Sequence, residues 1–214
     1  MAPGRILLDV TDLMALLAER EHPSGIPRVV SRCLDELDRL GSGVIPIFLS
    51  QITRSYCRID GSRLLGRDLS YLRWLEPARG RHLRRAFAYL GPLRSGRVEF
   101  AAHDTLLILG GGWGFPKRTA FLSGRATRGC RVVWFCHDLI PMLYPEFMMD
   151  SPGFAESFRN WLDSAIANGH HFICSTRFVE ADLRRYAAGL GATVNISVVP
   201  LAHEFKPVAG HLRP

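Results

Sequence analysis

The chain has 214 residues, 47% of them hydrophobic, and a formal net charge of +7. A chain of this size and composition buries a large core and fits one large domain or two small ones. No apolar run approaches the roughly 18 residues that cross a bilayer, and an N-terminus with Asp9 inside its first apolar stretch is not a signal peptide.

The positive charge is concentrated in one part of the chain. Residues 51–100 contain eleven arginines and four acidic residues, whereas basic and acidic residues balance elsewhere. Such a patch attracts phosphates, nucleic acid or an anionic membrane leaflet. A bias toward arginine codons explains it equally well, because the chain has 25 arginines and two lysines.

The five cysteines, Cys33, Cys57, Cys130, Cys136 and Cys174, are scattered and form no C-x-x-C motif. An odd number without such spacing predicts neither a disulfide framework nor a zinc site. We therefore expect a cytoplasmic protein, peripheral on the inner face of the membrane if the basic patch binds lipid.

Strands and helices alternate along the chain. Apolar runs predict strands at 5–10, 44–49, 105–109, 131–136, 171–174 and 196–199. Helical spacing predicts helices at 12–20, 27–40, 117–128, 153–168 and 177–188. Residues 51–100 are predicted to be irregular, with a basic helix at 80–90. The alternation favours an α/β fold, a doubly wound, mostly parallel Rossmann-like sheet with helices on both faces.

The most informative segment is the apolar run 132–136, which ends in His137 and Asp138. Because ligands of such sheets gather at the carboxyl ends of strands, His137 is our first candidate for chemistry. Its imidazole donates to a sugar hydroxyl or titrates near neutral pH, and a structural histidine is the alternative. Asp138 either orients His137 or caps the next turn.

The glycines at 110–112 follow the strand at 105–109 and precede Trp113. Three consecutive glycines indicate a sharp turn, contact with a ligand or a mobile loop. We therefore include Gly111, Gly112 and Trp113 among the candidate substrate contacts, although a core position is the safer interpretation of Trp113.

Two helix starts are candidate anion contacts. Gly25 and Arg28 flank the start of one helix, and Ser175, Thr176 and Arg177 flank the start of another. A loop glycine with a proline in the first turn explains the former, and capping explains the latter. His170 and His171 cannot chelate one metal, because neighbours on a strand point to opposite faces. We expect no metal site.

Several motifs resemble one enzyme family. Four segments are similar to the N-terminal half of glycosyltransferase family 4, whose members have GT-B architecture. They are Gly25-Ile26-Pro27-Arg28, His137-Asp138-Leu139-Ile140-Pro141, Ser175-Thr176-Arg177-Phe178 and Val198-Val199-Pro200-Leu201. The resemblance is good over 120–200, scattered over 5–50 and 104–114, and absent over 51–100, which looks like an insertion.

The resemblance implies a retaining transferase that moves a sugar from a nucleotide-sugar to a glycan or lipid-linked acceptor, without a metal or another cofactor. By position, Gly25 and Arg28 approach the donor diphosphate, His137 contacts the donor sugar and stabilises its developing charge, and Ser175 and Thr176 face the same cleft. No nucleic-acid partner is implied.

The chain departs from the family pattern near its end. Residues 1–200 correspond to the N-terminal lobe and 201–214 to the start of an interlobe linker, whereas the donor-binding lobe and its Glu-x7-Glu signature have no counterpart. One hypothesis is an acceptor-side lobe that needs a second lobe in cis or trans and is inactive alone. The alternative is a non-catalytic remnant whose basic patch binds a membrane, a glycolipid or a protein.

Overall fold

The computed structural model describes residues 4–17, 25–50, 54–59, 96–123, 129–148, 151 and 153–200. Its strands are β1 (Ile6–Asp9), β2 (Ile45–Ser50), β3 (Ser55–Arg58), β4 (Thr105–Ile108), β5 (Arg131–Cys136), β6 (His171–Cys174) and β7 (Asn195–Val198). Its helices are α1 (Thr11–Leu17), α2 (Ile26–Arg39), α3 (Pro116–Ser123), α4 (Ile140–Leu143), α5 (Phe154–Ala167) and α6 (Arg177–Gly189). Short 3-10 turns span Gly112–Gly114 and Pro145–Met148.

The seven strands form one sheet in the order β3-β2-β1-β4-β5-β6-β7. Every neighbouring pair is parallel except β2 and β3. The predicted α/β fold with a doubly wound, mostly parallel sheet is confirmed. The first three strands add outward on one side of the sheet, from β1 to β2 to β3. β4 then pairs with the other side of β1, and β5, β6 and β7 add outward from it. The strand order therefore reverses between β1 and β4, where ligands of doubly wound sheets bind.

Two hydrophobic layers cover the sheet. On one face, Leu8 and Phe48 pack with Val30 and Leu34 of α2. The other layer contains Trp134 and the buried side chains of α5 and α6, including Trp161 and Leu183. Successive residues of β1 and β5 enter opposite layers, as strand geometry requires. Burial on both faces explains the unbroken apolar run of β5.

The sequence-based boundaries agree closely for β5, β6, α2, α5 and α6. The prediction of irregular structure over 51–100 is wrong at β3, whose four residues pair antiparallel with β2. Ser55, Tyr56 and Cys57 are buried there, and Cys57 bridges to Arg97. The predicted basic helix at 80–90, and with it most of the basic patch, lies outside the described residues.

The residues after Asp138 are mostly helical. They form helix α4 and the 3-10 turn at Pro145–Met148. Among the helices that the structure describes, none is both long and apolar enough to cross a membrane.

His170 makes the stability of the fold sensitive to acid. The indole of Trp134 donates to its Nδ1 at 2.9 Å, so the folded state holds the ring neutral. Burial lowers the pKa of His170 from its ordinary value of 6.5 to about 4. Between these two pH values the unfolded chain binds a proton that the folded chain does not, so acid favours unfolding.

We expect the wild type to lose about 3 kcal/mol more free energy of unfolding than His170→Gln between pH 7 and pH 4, measured by urea denaturation. The Gln side-chain oxygen still accepts from Trp134. His171→Gln is the control and should follow the wild type closely, because His171 is more exposed. Equal losses in the wild type and His170→Gln would contradict this account.

Candidate functional site

The candidate site lies where the strand order reverses. The carboxyl ends of β1 and β4 are neighbours, with Asp9 paired to Ile108. The segment after β1 supplies Thr11 and Asp12, and the segment after β4 supplies the triple glycine. The end of the next strand, β5, adds His137. Three neighbouring strands thus bring acidic, backbone and imidazole groups to one edge.

A buried ionic cluster joins the segments behind this edge. Arg118, on α3, places Nη1 3.2 Å from Oδ2 of Asp9 and 3.0 Å from Oδ2 of Asp12. Its Nη2 donates to the carbonyl of Gly111. Tyr56, from β3, donates its hydroxyl to Oδ2 of Asp9 at 2.8 Å. These groups, here called the Arg118 cluster, connect β1, β3, α1, α3 and the glycine turn.

Burial makes this cluster costly to disrupt. The side chains of Arg118 and Asp9 are fully buried, and that of Asp12 is 15% exposed. The other oxygen of Asp9 accepts from the amide of Thr11 at 2.8 Å. The guanidinium also lies 4.9 Å from the ring centre of Phe115. A buried charge that loses its partner costs several kcal/mol. The cluster therefore holds its members in one arrangement.

The cluster keeps one cation and one phenol in defined protonation states. Burial alone would lower the pKa of Arg118, but the carboxylates of Asp12 and Asp9 outweigh burial and raise it. Burial, with the Asp9 charge, raises the pKa of Tyr56 well above its ordinary value. Burial also raises the pKa of Asp12, against the opposing effect of Arg118. At neutral pH Arg118 is thus charged and Tyr56 is a neutral donor.

The triple glycine is explained by close approach to this chain's own side chains. A Cβ on Gly110 would lie 2.1 Å from Oδ2 of Asp12, and one on Gly112 would lie 1.9 Å from Nε1 of Trp161. The carbonyl of Gly111 accepts from Arg118. The turn is therefore packed and bonded on its inner side, which argues against a mobile loop.

His137 follows β5, and its side chain reaches Leu109, the residue that follows β4. Its Nε2 lies 2.9 Å from the carbonyl oxygen of Leu109, and its ring packs 4.6 Å from that of Phe135, centre to centre. Because a carbonyl only accepts, Nε2 carries the hydrogen and Nδ1 carries the lone pair. Burial lowers the pKa of His137, so the ring is neutral at pH 7. The sequence predicted that His137 donates to a hydroxyl group or titrates near neutral pH; in the structure its Nε2 hydrogen is donated to Leu109, and Nδ1 carries a lone pair that can accept.

Asp138 caps the following helix. Its Oδ1 accepts from the amide of Ile140 at 2.9 Å. Of the two roles that the sequence allowed, the structure therefore favours capping. Asp138 and Asp12 both act electrostatically on His137 and oppose the lowering of its pKa. Asp12 thus connects His137 with the Arg118 cluster.

The ring of Trp113 packs within the protein and is not free to stack on a ligand. It packs against the rings of Phe154, Phe158 and Trp161, with centre distances of 5.8, 4.9 and 5.6 Å. The interpretation of Trp113 as a core residue is the one that fits this packing. It anchors the glycine turn to α5.

Ser175, Thr176 and Arg177 follow the carboxyl end of β6. Thr176 caps α6, its hydroxyl accepting from the amide of Val179 at 3.2 Å. Arg177 lies on the surface and pairs with Glu180 at 2.7 Å, and Glu180 also pairs with Arg184. Capping and surface ion pairs therefore account for Thr176 and Arg177, while Ser175 stays half-buried beside the edge.

Gly25 and Arg28 lie at the start of α2. Gly25 precedes the helix with φ of 57°, a conformation that favours glycine, and Arg28 is exposed. The predicted proline in the first helical turn is confirmed. No described contact joins this helix start to His137 or the glycine turn.

Two adjacent histidines point to separate partners. His170 is bound by Trp134, whereas Nε2 of His171 lies 3.0 Å from the hydroxyl of Ser197. Across the described ranges, no three His, Cys, Asp or Glu side chains are grouped so that they could hold a metal ion.

Sequence reasoning missed the Arg118 cluster as a unit. One signal was available, since Asp9 ends an otherwise apolar strand. Nothing local distinguishes Arg118 from the other 24 arginines, and Tyr56 lies in a stretch predicted to be irregular. Only the sheet order brings residues 9, 56 and 118 together.

In comparisons with protein-family models, curated proteins and solved structures, this chain matched none of them.

The two carboxylates of the cluster should differ in importance. We expect Asp9→Asn to lower the free energy of unfolding by about 3–5 kcal/mol, because an amide cannot accept from Thr11, Tyr56 and Arg118 together. Asp12→Asn should cost less than about 2 kcal/mol, since its oxygen still accepts from Arg118 and burial already disfavours the Asp12 charge. Urea denaturation at pH 7 measures both, and the reverse order would contradict the assignment.

The glycine turn gives a second, sterically based prediction. Gly112→Ala should lower the free energy of unfolding by at least about 2 kcal/mol, because the added methyl overlaps the ring of Trp161. Gly114→Ala is the matched control, since a Cβ there meets nothing within 4 Å. Its effect should stay within about 0.5 kcal/mol. Thermal unfolding followed by circular dichroism compares them, and equal effects would refute the close-approach explanation.

Proposed function

We propose that this chain is the acceptor-side lobe of a retaining glycosyltransferase, which transfers a sugar from a nucleotide-sugar to a glycan or lipid-linked acceptor. The observation that carries the proposal is the placement of a neutral His137, held by Leu109, beside the glycine turn and Asp12 where the strand order reverses. The resemblance of the His137-Asp138-Leu139-Ile140-Pro141 segment to glycosyltransferase family 4 supplies the reaction class.

The chemistry of this edge suits a ligand rich in hydroxyl groups. Nδ1 of His137 has a lone pair that accepts a hydroxyl hydrogen, and the partly exposed carboxylate of Asp12 is a second acceptor. Such acceptors bind polyols, and no covalent nucleophile is needed. In this proposal His137 orients a sugar hydroxyl and lowers the energy of the positive charge that develops on the sugar ring.

An exposed apolar surface supports the proposal of a two-lobed enzyme. We use the name aromatic rim for the exposed side chains of Ile140, Leu143, Tyr144, Phe147 and Phe178. They follow the carboxyl ends of β5 and β6, and Phe178 is 85% exposed. Tyr144 and Phe147 stack with their ring centres 5.8 Å apart, and exposed apolar patches of this kind indicate a contact surface. A second lobe that closes over this edge would cover the rim and complete the cleft.

The remaining candidate contacts take supporting roles in this proposal. Gly25 and Arg28 lie toward the donor diphosphate, while Ser175, Thr176 and Arg177 flank the cleft next to β6. A helix start and an exposed guanidinium suit a diphosphate. The alternative, a non-catalytic module, depends on the basic patch, most of which lies outside the described residues. Neutralising arginines 79, 81, 84 and 85 separates the two: lost liposome binding with unchanged sugar transfer would make the patch an anchor only, whereas lost liposome binding in a protein that transfers no sugar would support the alternative.

The test is a transfer assay with the natural protein or complex in which this chain occurs, using UDP- and GDP-sugars and a lipid and oligosaccharide extract as acceptors. We expect sugar transfer by the wild type and a fall of about 100-fold in His137→Ala, the size typical of one lost electrostatic contact to a transition state. His171→Ala, more exposed at the opposite edge, is the control and should retain the wild-type rate. Absence of transfer from every nucleotide-sugar, or full activity of His137→Ala, would overturn the proposal.

A further inference from the structure

Two of the five cysteines face each other across neighbouring strands. Cys136 ends β5, Cys174 ends β6, and the two are direct partners in the parallel register. Register partners project to the same face, and both thiols enter the same hydrophobic layer. Neighbouring strands lie about 4.8 Å apart. Disulfides join residues whose Cα atoms are about 4.4–6.8 Å apart, and the strand separation falls within that range.

The two thiols also interact chemically. Interaction between the two thiols lowers the pKa of Cys174 and, together with burial, raises that of Cys136. Cys136 therefore holds its proton more firmly, and Cys174 is the sulfur that carries negative charge more readily. Sγ of Cys136 also lies 3.6 Å from the carbonyl oxygen of Asp138. Such an asymmetric pair resembles an attacking thiol next to a resolving thiol.

The remaining cysteines lack this arrangement. Cys57 pairs across the sheet with Phe48 and bridges to Arg97. Cys130 precedes β5, and Cys33 lies on α2. Among the described strand pairings, Cys136 and Cys174 alone place two cysteines opposite each other.

We propose that Cys136 and Cys174 are a redox-modification site, at which hydrogen peroxide drives formation of a reversible disulfide. The Cys174 thiolate attacks one oxygen of the peroxide, whose O–O bond breaks, and the product is a sulfenic acid with release of hydroxide. Cys136 then attacks the sulfur of the sulfenic acid and water leaves. Two thiols are oxidised, and one peroxide is reduced to two waters.

Burial determines which oxidants reach the pair. Cys174 is fully buried and Cys136 is 1% exposed. Peroxide is little larger than water and needs only a local opening at the strand ends, whereas bulky disulfides need more extensive unfolding. The residues that follow are His137 and Ser175, so the new bond would tie together the two strand ends that carry them.

The experiment uses the folded wild-type chain. It is treated with hydrogen peroxide, denatured with an alkylating reagent, digested and mapped by mass spectrometry. We expect the number of alkylated thiols to fall from five to three, with a Cys136–Cys174 peptide pair that dithiothreitol separates. Cys57 and Cys130, each 5% exposed, are internal controls of similar burial and should remain alkylated.

A second measurement tests the order of attack. In Cys136→Ala no resolving thiol remains, so peroxide should leave a sulfenic acid on Cys174 that dimedone labels. In Cys174→Ala the corresponding label on Cys136 should be at least about tenfold weaker, as expected for the more protonated thiol. Five alkylated thiols after peroxide, an intermolecular bond, or oxidation of Cys57 and Cys130 at the same rate would overturn the proposal.

Discussion

The geometry of the carboxyl edge depends on the ion pairs and hydrogen bonds of one buried group, the guanidinium of Arg118. This guanidinium holds carboxylates from β1 and α1, reaches the glycine turn after β4, and shares Asp9 with the Tyr56 hydroxyl from β3. A buried charge must be compensated, so these segments hold their positions together or lose several kcal/mol. The cluster thereby links both sides of the point where the strand order reverses.

The position of His137 follows from this constraint. Its Nε2 donates to Leu109, immediately before the glycine turn that Arg118 and Trp161 hold from behind. The ring is thus fixed in one tautomer, in which Nδ1 carries the lone pair. Rigid placement of a polar group costs little reorganisation when a ligand binds, which is why such groups are effective in catalysis.

Cys136, which ends β5, and His137, which follows it, place two kinds of chemistry on opposite faces of the sheet. Strand alternation directs Cys136 into one hydrophobic layer, opposite Cys174, and His137 toward Phe135 in the other layer. Cys136 and His137 are neighbours in the chain, so a displacement caused by a disulfide at Cys136 would reach His137 through the backbone. Sugar recognition and oxidation would then meet at the end of one strand.

The sequence alone predicts the alternation of strands and helices, since burial on two faces requires unbroken apolar runs such as that of β5. It also places His137 at a strand end and a helix cap at Ser175 or Thr176, of which the structure uses Thr176. The residues that Asp9 and Cys136 contact, in contrast, are set by the tertiary structure. Tyr56 and Arg118 reach Asp9 from distant segments, and Cys136 meets Cys174, because strand order and register depend on packing between elements that no local pattern encodes.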